Sequence, residues 1–161
     1  MIVVADTSVI LNLCRIQHEQ LLQQLFQRGL IPAEVAGEFK RLTQIQKRFA
    51  GLVLPDWIEI SSVPQAFPPE VVRAQLDLGE SAAITLCLQQ KADLLLIDEA
   101  AGRELATQLG VRTVGILGVL VDARNQKLIS DVKSLLDRLE KEAGFWISSD
   151  LRQRVLQMAG E

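Results

Sequence analysis

The sequence has no tyrosine, one histidine (His18) and two cysteines (Cys14 and Cys87) in 161 residues. Each shortage closes a class of chemistry. One histidine cannot furnish a multi-histidine zinc site, and a Ser-His-Asp triad gains no support from it. Its neighbours Gln17 and Glu19 place it at an exposed helix start. The cysteines lie far apart, form no C-x-x-C pair and sit in apolar runs, so they read as small buried hydrophobes. Aromatics make up only 4%, and the formal net charge is −3. That profile argues against a basic nucleic-acid-binding face and against base stacking on aromatic platforms. No apolar stretch reaches the roughly 18 residues of a membrane span. The opening MIVVADTS lacks the basic start and long apolar run of a signal peptide. A soluble, cytoplasmic protein without membrane contact is expected.

Hydrophobic residues are plentiful, at 48%. That excludes intrinsic disorder, and the length suits one domain, residues 1–161, with a core that needs no disulfide or metal staple. Short β-branched or leucine-rich runs at 2–5, 30–31, 93–97 and 111–114 read as buried strands. Helical spacing fills 9–15, 19–27 (stopped by Gly29), a segment opened by Pro32 and carried toward Phe49, 78–90, 102–109, 115–122, 131–143 and 150–158, the last capped by Asp150. Residues 57–60 suit an edge strand or an arm, and the proline-rich 61–69 a loop. Strands alternating with helices specify an α/β fold, a three-layer α/β/α sandwich around a mostly parallel sheet of four to five strands.

In such sheets ligands bind beyond the carboxyl ends of the strands, and those positions are acidic. Asp6 follows the first strand, Asp98 follows Ile97, Glu80 lies in the first turn of the helix before that strand, and Glu38 lies on the helix after the second. Each has an ordinary alternative: Asp6 and Asp98 as helix caps, Glu80 as a complement to the helix dipole, Glu38 as part of a solvated face. Two carboxylates about 4 Å apart repel by roughly 4 kcal/mol at an effective dielectric of 20, so a cluster stays ionised only around a cation. Oxygen donors without histidine or thiolate select Mg²⁺ or Mn²⁺ over zinc. Such ions bind phosphate and activate water. The pairs Lys40-Arg41 and Lys47-Arg48, and Arg103 a turn after Asp98, suit either phosphate contacts or ion-paired, solvated faces, the latter being the slightly favoured reading. Other chemistries lose their signatures. Ser8 stands where a haloacid-dehalogenase phosphatase needs a second Asp, and no P-loop, dinucleotide-binding loop or complete nucleophile elbow is present.

The ordered set resembles the PIN domain family, in particular its small prokaryotic members. It comprises Val3-Val4-Ala5-Asp6-Thr7-Ser8 with Asn12, Ile31-Pro32 through Val35 and Glu38, Leu78-Gly79-Glu80-Ser81-Ala82-Ala83-Ile84, Leu95-Leu96-Ile97-Asp98-Glu99 with Gly102-Arg103, Gly110-Val111 and Gly115-Ile116-Leu117-Gly118. The resemblance covers nearly the whole chain. It implies a Mg²⁺- or Mn²⁺-dependent endoribonuclease, often the toxin of a toxin–antitoxin pair. Asp6, Glu38, Glu80 and Asp98 would be the metal-binding carboxylates, with the hydroxyl of Thr7 or Ser8 beside the first. Candidate phosphate contacts are Thr7, Ser8, Lys40, Arg41 and Arg103. The chain departs from many relatives in carrying Glu80 where they have Asp. A catalytically inactive RNA- or protein-binding module is the alternative. RNA, a small antitoxin protein and a second copy of the chain are the implied partners. The apolar residues at 11–13 and 21–26 exceed what one core face needs, which suggests an exposed patch at a homodimer interface.

Overall fold

The structure, a computed structural model, describes residues 1–64 and 66–161. Gln65, inside the expected 61–69 loop, lies outside the described residues. Five parallel strands, β1 (Ile2–Ala5), β2 (Arg28–Pro32), β3 (Glu59–Ser61), β4 (Leu94–Leu96) and β5 (Thr113–Val114), form one sheet in the order β3-β2-β1-β4-β5. The chain leaves β1 toward β2 and β3, then crosses back to lay β4 on the other side of β1. The strand order therefore reverses between β1 and β4, where open parallel sheets bind ligands.

Side-chain alternation divides the central strands between two apolar layers. Val3, Ala5, Leu94 and Leu96 face one core and Val4, Leu95 and Ile97 the other. The first core is closed by α1 (Thr7–Arg15), α2 (Gln20–Leu25), α3 (Ala33–Ile45), α7 (Ile116–Asn125), α8 (Lys133–Glu142) and α9 (Ser149–Met158). The second is closed by α4 (Pro69–Ala74), α5 (Leu78–Gln90) and α6 (Ala100–Gln108). Burial on both faces explains why β1 and β4 read as unbroken apolar runs. Both cysteines are free and buried. No helix among the described residues is long and apolar enough to cross a membrane.

Four details differ from expectation. Gly29 does not end a helix. α2 stops at Leu25 with Phe26 extended, and Gly29 lies inside β2, 3.8 Å from the Trp57 ring at its Cβ position. The cap of α9 is Ser148, whose hydroxyl accepts from the Leu151 N–H at 3.2 Å; Asp150 lies within the helix. A short helix, α4, follows the loop and starts on Pro69, a residue suited to a first turn.

The fourth difference concerns the apolar excess on α1 and α2. Leu11, Leu13, Leu21, Leu22 and Phe26 are all buried, because α7 and α8 cover the side of α1 and α2 that the sheet does not. They form no exposed patch. Leu13→Ala is therefore expected to destabilise the isolated chain by about 2–5 kcal/mol, as cavity creation does in a closed core. Urea unfolding measures this, and a change within about 0.5 kcal/mol would return Leu13 to the surface.

Candidate functional site

Local structure explains how each acid reaches the sheet edge. Asp6 is the N-cap residue of α1, in extended conformation, and its N–H donates to the Leu96 carbonyl of β4 at 2.9 Å. Its carboxylate makes no side-chain capping bond to that helix. Asp98 caps a helix other than its own: Oδ1 accepts from the Ile116 N–H at the start of α7, at 2.9 Å. Its Oδ2 is buried without a partner. Asp77 caps α5, accepting from the Glu80 N–H at 2.8 Å, which fixes the first turn that carries Glu80. Glu38 projects from the middle of α3.

Gly79 marks where these groups crowd. A Cβ there would lie 2.5 Å from Glu38 Oε2 and 3.6 Å from both Asp6 Oδ1 and Asp77 Oδ1. A side chain at 79 would occupy the space the carboxylates share. Glu80 points beneath α6, its carboxyl carbon 3.8 Å from the Cβ position of Gly102. Asp6, Glu38, Asp77, Glu80, Asp98 and Glu99 line one cleft of about 480 Å³, together with Ser8 and Asn12. As the side chains stand, no three His, Cys, Asp or Glu groups among the described residues form a closed ligand set.

The electrostatics follow from this crowding. Burial, reinforced by Asp77, Glu38 and Asp98, raises the Asp6 carboxyl to about 7, although the Thr7 amide offsets part of the effect. Glu80 also reaches about 7, first through burial and then through Asp77, Asp6 and Glu99. Burial raises Glu38 too, with Asp77 adding to it and Thr7 and Arg41 opposing. Asp98 is raised by burial against the Ile116 hydrogen bond and the Arg103 charge. Without a counter-cation the cleft favours the protonated acids.

The other sequence candidates scatter. Ser8 lines the cleft, and Thr7 is buried beside Glu38 with its hydroxyl lacking a hydrogen bond of normal geometry. Arg103 sits beside Asp98: Nη1 is 3.3 Å, and Asp98 Oδ1 2.5 Å, from the Cβ position of Gly115. Arg41 lies beside Glu38 in a neighbouring groove with Asp77. Lys40 is exposed and lines neither the cleft nor that groove. Asp77 was not singled out from the sequence, although Asp77-x-x-Glu80 at a helix start is a capping-box signal.

The family comparison matches residues 2–161 to DUF3368, described as a PIN domain. The chain belongs to the PIN domain family. PIN domains are typically nucleases and generally use divalent metals, which supports a nucleic-acid hydrolase. Among solved structures, this PIN domain is similar to a PilT N-terminus domain protein, SSO1118, from the hyperthermophilic archaeon Sulfolobus solfataricus P2. The TM-score is 0.56 at 20% identity, over 76% of this chain and 93% of that one, a likeness of fold. No curated protein matches in sequence.

Proposed function

We propose that this PIN domain is a metal-dependent endoribonuclease that hydrolyses RNA phosphodiesters, with Asp6, Glu38, Glu80 and Asp98 as metal-binding carboxylates. One observation carries the reading. Acids from the ends of β1 and β4 and from α3 and α5 line a single cleft at the switch point of the sheet; burial disfavours the charged forms of all four, and neighbouring acids add to it at Asp6, Glu38 and Glu80. Apart from the cap that Asp98 gives α7, such a cluster is structurally unfavourable; a cation gives it a counter-charge. The fit to a divalent ion rests on the donor chemistry, all carboxylate oxygen, and on the buried, unpartnered Asp98 Oδ2.

When bound, the ion would supply Lewis-acid activation of water and offset charge on the leaving oxygen. The chain's own residues do the positioning. The Ile116 N–H holds Asp98 Oδ1 and leaves Oδ2 without a hydrogen-bond partner. Asp77 fixes the start of α5 and so the placement of Glu80. Gly79 keeps the space over Asp6 and Glu38 open. No side chain is required as a nucleophile.

Mg²⁺ and Mn²⁺ both suit these donors. The toxin role, a small antitoxin partner and a homodimer belong to the same reading on the strength of the family resemblance, and a cytoplasmic setting is proposed with them. Hydrolysis of single-stranded RNA in Mn²⁺, with EDTA as control, tests the function. RNA left intact in Mn²⁺ overturns it. One observation favours the second reading, a PIN-fold RNA- or protein-binding module without turnover: the carboxylates line the cleft without closing on a point. Calorimetry separates the two, since the binding module takes up no Mn²⁺ at millimolar concentration.

A further inference from the structure

We propose that Trp146 is a stacking platform for a nucleobase at the rim of the acidic cleft, so that a single-stranded nucleic acid is held by a base as well as by its phosphates. The proposal deepens the nuclease reading and rests on it for the nature of the polymer.

Trp146 is 83% exposed, one of only two tryptophans in the chain. It lines the carboxylate cleft and also a second, more apolar groove of about 470 Å³ between α7 and α9. Asp98, Phe145 and Trp146 are common to both, so the indole stands on the ridge between them. A large aromatic surface left in water is unfavourable until something covers it.

The indole does not sit on a loose tail. Arg48 Nη1 donates to the Ala143 carbonyl at 2.9 Å, and the Phe145 N–H donates to Leu139 O at 2.9 Å. Gly144 has φ +68°, and a Cβ on it would lie 2.6 Å from the same Arg48 nitrogen. Phe145 packs against the core, Ile147 is buried, and Ser148 caps α9. Arg152 on α9 pairs with Asp137 and Glu140 on α8, tying together the two helices that flank the segment. Both neighbours of Trp146 are anchored inward, and Trp146 alone is turned out.

Charge selects the occupant. Arg48 lines the cleft, and Arg103 and Arg154 line the second groove. Among the described residues none of the three forms an ion pair with a carboxylate. An exposed aromatic face bordered by guanidinium groups that make no salt bridge is the combination that binds single-stranded nucleic acid, the base on the ring and the backbone on the cations. A partner protein would use the apolar groove but would leave Arg154, which makes no ion pair, and the outer side of Arg103 without an anionic partner.

The test uses a short, labelled single strand of mixed sequence and an abasic strand of the same length, titrated at low ionic strength in EDTA and in Mn²⁺. Binding is read by anisotropy. Indole quenching is read in a Trp57→Phe background, which leaves Trp146 as reporter. The mixed strand is expected to quench Trp146 and to bind roughly tenfold more weakly to Trp146→Ala, with Trp146→Phe retaining most of the affinity. The abasic strand is expected to bind wild type and Trp146→Ala alike. Equal binding of the mixed strand by wild type and Trp146→Ala, or no quenching in either condition, overturns the platform. So does an indole spectrum that shifts with protein concentration alone, which would assign Trp146 to an interface between copies. Hydrolysis in Mn²⁺ is scored separately. Base discrimination without hydrolysis removes the nuclease reading and keeps the platform, whereas hydrolysis without base discrimination does the reverse.

Discussion

Asp6→Asn is expected to lower Mn²⁺-dependent RNA hydrolysis by more than roughly a hundredfold while leaving the fold intact. The magnitude follows from position. Changes to groups that merely orient metal ligands cost about 10–100-fold in affinity or activity, and Asp6 is proposed to contact the ion itself. The substitution preserves shape. Asn retains one oxygen and can occupy the same N-cap position, and the Asp6 N–H bond to Leu96 belongs to the backbone. The variant also removes a charge that three neighbouring acids oppose. Its metal-free form should therefore unfold at a higher temperature than wild type at pH 8, a trade of function for stability common at active sites. Asp150→Asn, an exposed acid on α9 far from the cleft in sequence, serves as the control for hydrolysis and should leave the rate unchanged. Initial rates at fixed Mn²⁺ and melting temperatures in EDTA decide the matter. Hydrolysis by Asp6→Asn at the wild-type rate would remove Asp6 from the metal site.

The parts of this protein that were legible in its sequence are those fixed by local pattern. β1 and β4 announce themselves as apolar runs because both of their faces are buried, and the residue after such a strand falls at the sheet edge by geometry alone. That is enough to nominate Asp6 and Asp98. Long-range contacts were not legible. Nothing near Asp98 in sequence says that its Oδ1 caps a helix beginning at Ile116, which frees the other oxygen. The apolar surplus on α1 and α2 looks like an interface until α7 and α8, a hundred residues downstream, are seen to bury it. Trp146 is similar. Its outward turn is set by Gly144 and by Arg48, whose bond to the Ala143 carbonyl spans 95 residues of chain. A 4% aromatic content says how few rings there are; it does not say that one stands beside the carboxylates. Asp77 is a different kind of case, since its capping-box spacing was present to be read.

The metal-free protein is expected to lose stability as pH rises from about 4 to about 7. The direction follows from proton uptake. Asp6 goes from an ordinary 3.8 to about 7 in the folded chain, and Glu80 from 4.5 to about 7. Within that window the folded state holds protons that the unfolded chain has released, so each step up in pH favours unfolding. Below about 4 both states are protonated and the effect is absent; above about 7 it is complete. A shift of this size on Asp6 alone corresponds to roughly 4 kcal/mol as an upper figure. A divalent ion takes the place of the protons. At a hundred times its dissociation constant it stabilises the folded state by about 2.7 kcal/mol, so Mn²⁺ should recover much of the loss at pH 8 and little at pH 5, where protons compete for the same oxygens. Urea unfolding at both pH values, in EDTA and in Mn²⁺, measures all four corners. In Asp6→Asn the pH dependence should flatten and the Mn²⁺ increment shrink together, because both come from the same carboxylates. Stability at pH 8 in EDTA equal to that at pH 5 would mean that the acids are already compensated within the chain. The cleft would then have no need of a cation.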